Sequence, residues 1–189
     1  MPLENVVQEQ ITEAFRSFLR KFAVPKYFND DSAHIINGFA NDLGLPTDGN
    51  DFTVFSPVSM TRRGSTIETL NPLTETLDLH EYIDLVVQVD CYSSSRFDAR
   101  DRAQAYELVG RSSYGVDHFK QYGLDLQYVE GLQNLTAVMD SDRYVPRWSL
   151  TFTLGFKRTL RLTQDGFKFV KVNIANVDVK FPPKEKDKK

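Results

Sequence analysis

The sequence contains a single cysteine, Cys91, among 189 residues. One cysteine cannot form an intrachain disulfide, and a cysteine-based zinc cluster requires several. Histidine is also scarce, and His34, His80 and His118 are too far apart in sequence to share one turn of a helix. A histidine-based zinc site is therefore disfavoured, and Cys91, on the apolar side of an alternating segment, reads as a buried structural thiol.

Sequence motifs that bind phosphate or activate a serine are absent as well. Neither G-x-x-x-x-G-K-[ST] nor G-x-G-x-x-G occurs, and there is no G-x-S-x-G elbow. No apolar run approaches the ~18 residues that a membrane helix needs. We therefore expect no catalytic residue, no metal, no cofactor and no membrane span. A small α+β enzyme whose pocket has no sequence signature remains an alternative.

Aromatic residues are abundant, with 14 Phe and 8 Tyr, a composition that favours β-structure. Charge is divided unevenly: residues 1–139 carry 20 acidic and 11 basic residues, and residues 140–189 carry 6 and 12. Such a division favours head-to-tail contact between copies or contact with an unlike partner, although both signs could equally face water. The net charge of −3 argues against a dedicated duplex-DNA binder.

Apolar periodicity predicts helices in three places. Residues 4–23 place apolar side chains at steps of three and four, and Pro25 ends that helix. Residues 93–110 predict a second helix that stops at Gly110, and residues 114–122 a short third one. A further short helix is a weaker expectation at 32–39.

Alternating apolar and polar residues predict strands in most of the remaining chain. The strongest alternations are "YIDLVVQVDCY" and "WSLTFTLGF". In the segment 52–64, Pro57 indicates an edge or a bulge. The predicted strands are 52–64, 66–93, 124–131, 134–140, 148–156 and a bulged strand or strand pair at 167–181. The fold class is α+β: a mostly antiparallel (mixed) sheet flanked by an N-terminal helix and a central helix.

The stretch "DSDRYVPRW", residues 140–148, gathers two acids and two arginines just before the strongest alternation. Asp140 and Asp142 could bind a cation, but the neighbouring arginines offset the charge that a metal needs. We interpret the stretch as a contact loop leading into a strand. A second pair of arginines precedes Gly64, either as a phosphate or carboxylate contact or as a solvated turn. The predicted interface residues are Arg62, Arg63, Asp142, Arg143, Tyr144 and Arg147.

The segment "YIDLVVQVDCYSSSRFDARDRAQAYELV" resembles the strand–helix core of phage neck or tail terminator proteins. "LDLQYVEGLQNLTAVMDSDRYVPRWSLTFTLGF" is similar to the part that follows in that family, and "NIANVDVKFPP" to its closing segment. The resemblance covers roughly residues 5–183. It departs from the family at Pro146, where acidic residues are more usual, and in a longer segment at 59–81.

The resemblance implies a structural virion protein at the phage neck. It implies a tail-terminator-like fold in residues 1–183 as one domain, with a protruding loop or hairpin around 59–81 and a charged flexible tail at 184–189. Copies would form a hexameric ring, assembled in the host cytoplasm, that caps the tail tube. The implied partners are the tail tube protein, the head–tail connector protein and, in a contractile tail, the sheath. DNA would pass through the channel without sequence-specific binding; another head–tail connector or tail-completion component is the alternative.

Overall fold

A computed structural model gives the architecture of this chain. It describes residues 8–22, 34–38, 51–71, 73–74, 76–93, 96–139 and 143–163. Three helices are present in these ranges: α1 (Gln8–Phe22), α2 (Arg96–Gly110) and α3 (Ser113–Lys120). The strands are β1 (Ile35–Asn37), β2 (Phe52–Asn71), β3 (Thr76–Tyr92), β4 (Asp125–Asn134), β5 (Ala137–Met139), β6 (Arg143–Val145) and β7 (Arg147–Thr163).

Five of the strands form one sheet in the order β1-β2-β3-β7-β4. β1 runs parallel to β2, whereas the pairs β2–β3, β3–β7 and β7–β4 are antiparallel. β5 and β6 form a separate two-stranded sheet. The predicted fold class, α+β with a mostly antiparallel mixed sheet, is confirmed.

The helices pack on one face of this sheet, which we call the helix-covered face. The apolar stripe of α1 is fully buried at Phe15 and Phe18, whose rings lie 5.6 Å from the ring of Phe152 on β7. Burying one such side chain stabilises the fold by about 1.5–3 kcal/mol. The remaining large members of this core include Ile11, Leu19, Phe55, Leu85, Val87, Val89, Tyr106, Phe119, Leu124, Leu150 and Leu154.

The alternation in β3 sets the two faces of the sheet. Ile83, Leu85, Val87, Val89 and Cys91 point toward the helices. The residues between them, from Tyr82 to Tyr92, form what we call the polar face. The expected inward positions of "WSLTFTLGF" are likewise buried from Leu150 to Phe156.

β2, β3 and β7 extend well beyond the helices. β2 and β3 pair from Phe52↔Tyr92 to Asn71↔Thr76, and β3 pairs with β7 as far as Thr76↔Thr163. We call the distal part of these strands the arm: residues 59–71, 76–82 and 157–163. β2 is therefore longer than the predicted strand 52–64, and its register shift between Pro57 and Ser59 is the bulge that the proline indicated.

Two expectations about local structure are wrong. The predicted short helix at 32–39 is instead a strand at Ile35–Asn37, paired in parallel with β2. The break predicted between the strands 124–131 and 134–140 is absent at residues 132–133, because β4 continues to Asn134. Gly131 has a φ of 73°, and the register shifts between Glu130 and Gln133, so this glycine accommodates a bulge rather than a turn.

Several expectations lie outside the described residues. These are the helix start at 4–7, the strand or strands at 167–181 and the charged tail at 184–189.

Candidate assembly surface

Acidic side chains recur on the polar face of β3 at intervals of six residues: Asp78, Asp84 and Asp90. Side chains six residues apart in a strand share a face and lie about 20 Å apart. Each carboxylate is paired with an arginine from another strand: Asp78 with Arg161, Asp84 with Arg63 and Asp90 with Arg147. The polar face therefore carries a row of acid–arginine pairs along the whole length of the sheet.

The middle pair links three strands across a fourth. Arg63 donates two hydrogen bonds to Asp84, at 2.7 and 3.1 Å, and one to the amide oxygen of Gln127 at 3.0 Å. The amide nitrogen of Gln127 in turn donates to Asp84 at 2.9 Å. A Cβ at Gly155, the β7 residue between them, would lie 2.7 Å from that nitrogen. Gly155 thus leaves the room that lets Gln127 on β4 reach β3.

The pair Asp90–Arg147, at the end of β3 away from the arm, is the most buried of the three. Asp90 is only 6% exposed, and it accepts a hydrogen bond from Arg147 at 2.9 Å and two from Gln88. The hydrogen bond from Arg147 to this carboxylate raises the pKa of the guanidinium further. Arg147 also lies over the ring of Tyr92, which stacks on Phe52 at 4.5 Å. Arg147 therefore fixes the start of β7 against the end of β3.

The arm carries further ion pairs, all of them near solvent. Glu81 accepts from Arg158 at 2.6 Å and from Thr66 at 3.1 Å, while Arg62 approaches it to 3.8 Å. The hydrogen bonds from Arg158 and Thr66 lower the pKa of Glu81, and the hydrogen bond from Arg161 lowers the pKa of Asp78. These contacts neutralise most of the arm's charge within the chain itself.

Apart from Leu135, the exposed large apolar side chains of the described residues fall in two regions at opposite sides of the sheet. The arm and the start of its β2 strand expose Val58, Met60, Ile67, Leu70, Leu73 and Tyr82. Leu73, at the tip, is 93% exposed. The second region, around α2, α3 and β4, exposes Leu108, Tyr114, Val116 and Tyr128. A cleft of about 330 Å³ lies in this second region, lined by Arg111, Val116, Leu126, Tyr128 and Glu130 among others.

The predicted interface residues do not form one patch. Arg63 and Arg147 both lie on the polar face. Their carboxylate partners, Asp84 and Asp90, are six residues apart on β3. Arg62, the neighbour of Arg63, approaches Glu81 on the opposite face. Arg143 and Tyr144 belong to β6, with side chains outside the described part, and Asp142 lies outside it altogether.

Sequence reasoning did not identify the partners of these arginines. The alternation in β3 predicts that Asp84 and Asp90 point away from the core. Which arginine pairs with each carboxylate depends on which strands are neighbours in the sheet. It also missed Arg102, whose side chain is fully buried on α2 and lies 3.2 Å from Asp51. Arg102 also donates to the backbone oxygens of Tyr92 and Phe52. Its signal was its position beside Ala99 and Ala103 on the apolar stripe.

The titratable groups in the described core have structural roles. Burial raises the pKa of the Cys91 thiol to about 12, so it stays protonated. His118, a residue of α3 that faces α1, places its Nε2 3.1 Å from both the Ala14 carbonyl and the Ser17 hydroxyl, and burial lowers its pKa. Among the described residues no group of His, Cys, Asp or Glu is arranged to hold a metal ion. Within the same ranges, no helix has the length and apolarity to cross a membrane.

The fold and its surface define an α+β protein with acid–arginine networks and two exposed apolar regions. Residues 9–182 match the family model described as phage neck terminator protein. The chain belongs to that family. No curated protein matches it. Membership makes it a structural protein of the virion, a tail terminator at the phage neck, that interacts with other tail or head-connector proteins.

Proposed function

We propose that six copies of this chain form a ring on the end of the tail tube. The ring stops tube growth, joins the tail to the head connector and leaves a channel for DNA. Its direct partners are the tube protein, the connector and, in a contractile tail, the sheath. Residues 1–183 act as one domain that assembles in the host cytoplasm, and the chain performs no catalysis.

The observation that carries this proposal is the pair of unlike exposed regions at the two sides of the sheet. A ring needs heterologous contacts, in which one surface of a copy meets a different surface of the next. The arm and the region around β4 are different in composition, and two strands, β3 and β7, separate β2 from β4 in the sheet. The acidic residues 1–139 and basic residues 140–189 add a second asymmetry that suits such contacts.

DNA passage without sequence readout agrees with the charge of the polar face. Its arginines at 63, 147 and 161 are already engaged by carboxylates, so they add little net positive charge. Proteins that bind duplex DNA use arginine and lysine to neutralise phosphates. A channel lined by neutralised pairs would hold DNA only weakly.

The neck position and stoichiometry are tested by cryo-electron microscopy of intact virions. We expect six copies in one layer between the tail tube and the head connector. A phage that lacks the gene separates termination from connection: overlong tails support the terminator role, whereas normal tails with heads that leak DNA would assign the chain to the connector. Absence of the chain from the head–tail junction would refute both.

The contact role of the loop before β7 is part of the same proposal. Arg143 and Tyr144 stand beside Arg147 in sequence, and Asp142 precedes them. Because Arg147 holds Asp90 inside the chain, a clean test of the loop changes Arg143 and Tyr144 and leaves Arg147 intact. Arg143→Glu with Tyr144→Ser should reduce capping of purified tails while the thermal unfolding midpoint stays unchanged. Full capping by that variant would exclude the loop from the interface.

A further inference from the structure

The unpaired edges of β2 and β4 have directions that allow them to pair between copies. Within the described ranges, β1 pairs with β2 only from Thr53 to Phe55, and no strand pairs with the outer side of β4. Two strands, each antiparallel to its neighbours, separate β2 from β4, so β2 and β4 run in opposite directions. A second copy that continues the sheet therefore brings its β2 antiparallel to β4.

The strand register shows which residues of the β2 edge and the β4 edge lie in the same row across the sheet. Met60 on β2 pairs with Leu85, Leu85 with Leu154, and Leu154 with Leu126 on β4. These four residues lie in one row across the sheet. The unpaired edge of β2 therefore includes residues that lie at the same height along the strands as Asp125 to Tyr128 on β4.

Within the described residues, this part of β4 is also the part whose outer edge carries no cap. Arg111 donates from Nε to the backbone oxygen of Val129 at 2.9 Å and thereby occupies the next section of the edge. Val116 on α3 and Leu126 on β4 line the cleft beside it. The cleft opens between the helices and the β4 edge, so a strand added there would meet α3 on its helix-covered side.

Met60 has the orientation and the chemistry for that cleft. It pairs with Leu85, which points toward the helices, so Met60 lies on the helix-covered side, where it is 51% exposed. Val116 is 41% exposed. Methionine is flexible and fills irregular apolar gaps well. Contact between the two would remove apolar surface from water on both copies.

Charge complements this arrangement. Arg62 lies on the same side as Met60, two residues further along β2; its side chain is 57% exposed. It shares Glu81 with Arg158, which makes the shorter contact, 2.6 Å against 3.8 Å. Asp117 follows Val116 on α3 and is exposed, with no ion pair to any residue that the structure describes. Arg62 therefore has donors to spare for a carboxylate on a neighbour.

We propose that the β2 edge of one copy pairs antiparallel with β4 of the next copy, which places Met60 in the Val116 cleft and Arg62 beside Asp117. The partner is a second copy of this chain, and the inference rests on the proposed ring. It adds the residues of the contact and the direction in which the strands meet.

Cysteine cross-linking on tails tests the geometry. Each copy would carry Met60→Cys and Val116→Cys; the native Cys91 is fully buried and does not compete. After mild oxidation of capped tails, we expect a ladder of covalent oligomers on a denaturing gel. Either change alone should give monomers, because in a head-to-tail contact each cysteine meets the other position. Met60→Cys with Leu135→Cys is the matched control, since Leu135 is exposed outside both regions.

A charge exchange tests the ion pair. Arg62→Asp should lower the number of copies bound per tail by about tenfold or more, because like charges would face each other across the contact. Asp117→Arg should do the same, and the two changes together should restore binding. Thermal unfolding of each variant shows whether the fold is intact.

The outcomes separate this inference from the ring itself. Closed rings that give no ladder would overturn the Met60–Val116 contact and leave the proposed function standing. Rings that form normally with Arg62→Asp but fail to bind tails would also overturn it, since the arm would then contact the tube protein. Virions without any ring of this chain would refute the proposed function.

Discussion

The long strands β2, β3 and β7 each have two halves that are stabilised in different ways. The basal half lies beneath the helices, and the distal half is the arm. In the basal half, β3 and β7 alternate between a face buried by helices and a polar face, and Leu85, Phe152 and Leu154 are fully buried. In the arm both faces meet solvent, and the strands are joined by ladder hydrogen bonds and ion pairs such as Asp78–Arg161 and Glu81–Arg158. No helix that the structure describes covers the arm, so little apolar burial stabilises it.

This difference indicates which half serves the fold and which half is available for partners. Hydrophobic burial is the dominant favourable contribution to folding, whereas exposed ion pairs contribute little. Substitutions in the basal half should therefore affect unfolding first, and substitutions in the arm should affect assembly first.

The largest effect is expected at Phe152, the fully buried β7 residue against Phe15 and Phe18. Phe152→Ala removes the ring and leaves a cavity, which should lower the free energy of unfolding by about 3–5 kcal/mol. Urea denaturation of the purified chain measures it. Leu70→Ala on the arm is the comparison and should change that free energy by less than about 0.5 kcal/mol. Equal losses at both positions would contradict the division into halves.

The next effect is expected at Arg147. Arg147→Met keeps the apolar stem of the side chain, but it removes the guanidinium that lies over Tyr92 and leaves the carboxylate of Asp90, 6% exposed, without its cation. The free energy of unfolding should fall by about 1–3 kcal/mol. Arg147→Met with Asp90→Asn should recover part of the loss, because the second change removes the uncompensated charge. No recovery in the double variant would show that Arg147 acts through packing alone.

The basal half is also the half that could be predicted from the sequence. In "YIDLVVQVDCY" and "WSLTFTLGF" one face of the strand is buried, which requires every second residue to be apolar. That alternation can be recognised in the sequence. The arm has no such constraint, so the end of β2 at Asn71 and of β7 at Thr163 could not be predicted. The end of a strand predicted at Gly131 is a bulge within β4 instead, and a glycine at a positive φ serves turns and bulges equally.

The candidate interface shows the same limit. Arg63 and Arg147 were identified because charged clusters stand out in sequence, but their partners Asp84 and Asp90 depend on strand order, which no local pattern encodes. Their sequence neighbourhood groups Arg62 with Arg63, although adjacent residues in a strand point to opposite faces. The exposed Val116 and Tyr128 were not identified, because exposure of an apolar residue depends on how α3 packs beside β4.

A smaller effect, visible only in acid, is expected at His118. Burial lowers its pKa in the folded chain, with the Lys21 charge acting in the same direction and the Ala14 carbonyl opposing them. The unfolded chain therefore takes up the proton first. This contribution to stability is complete above about pH 6.5 and is lost as the pH falls toward the lowered pKa of the folded state. Urea midpoints between pH 7.5 and pH 5 measure the loss. His118→Asn should flatten that part of the profile; an unchanged slope would assign the pH dependence elsewhere.

The smallest effect on stability is expected at the distal pair Asp78–Arg161, although its geometry is among the best in the chain, with contacts of 2.7 and 3.0 Å. Both side chains are near solvent, where Coulomb attraction is screened and ordering two side chains costs entropy. Arg161→Gln should leave the urea midpoint unchanged. The same change uncovers the charge of Asp78 on the arm, so it should reduce the number of copies bound per purified tail, increasingly so as salt is lowered. A fall in the urea midpoint as large as that of Arg147→Met would show that the arm contributes to the stability of the fold, and the comparison between the halves would fail.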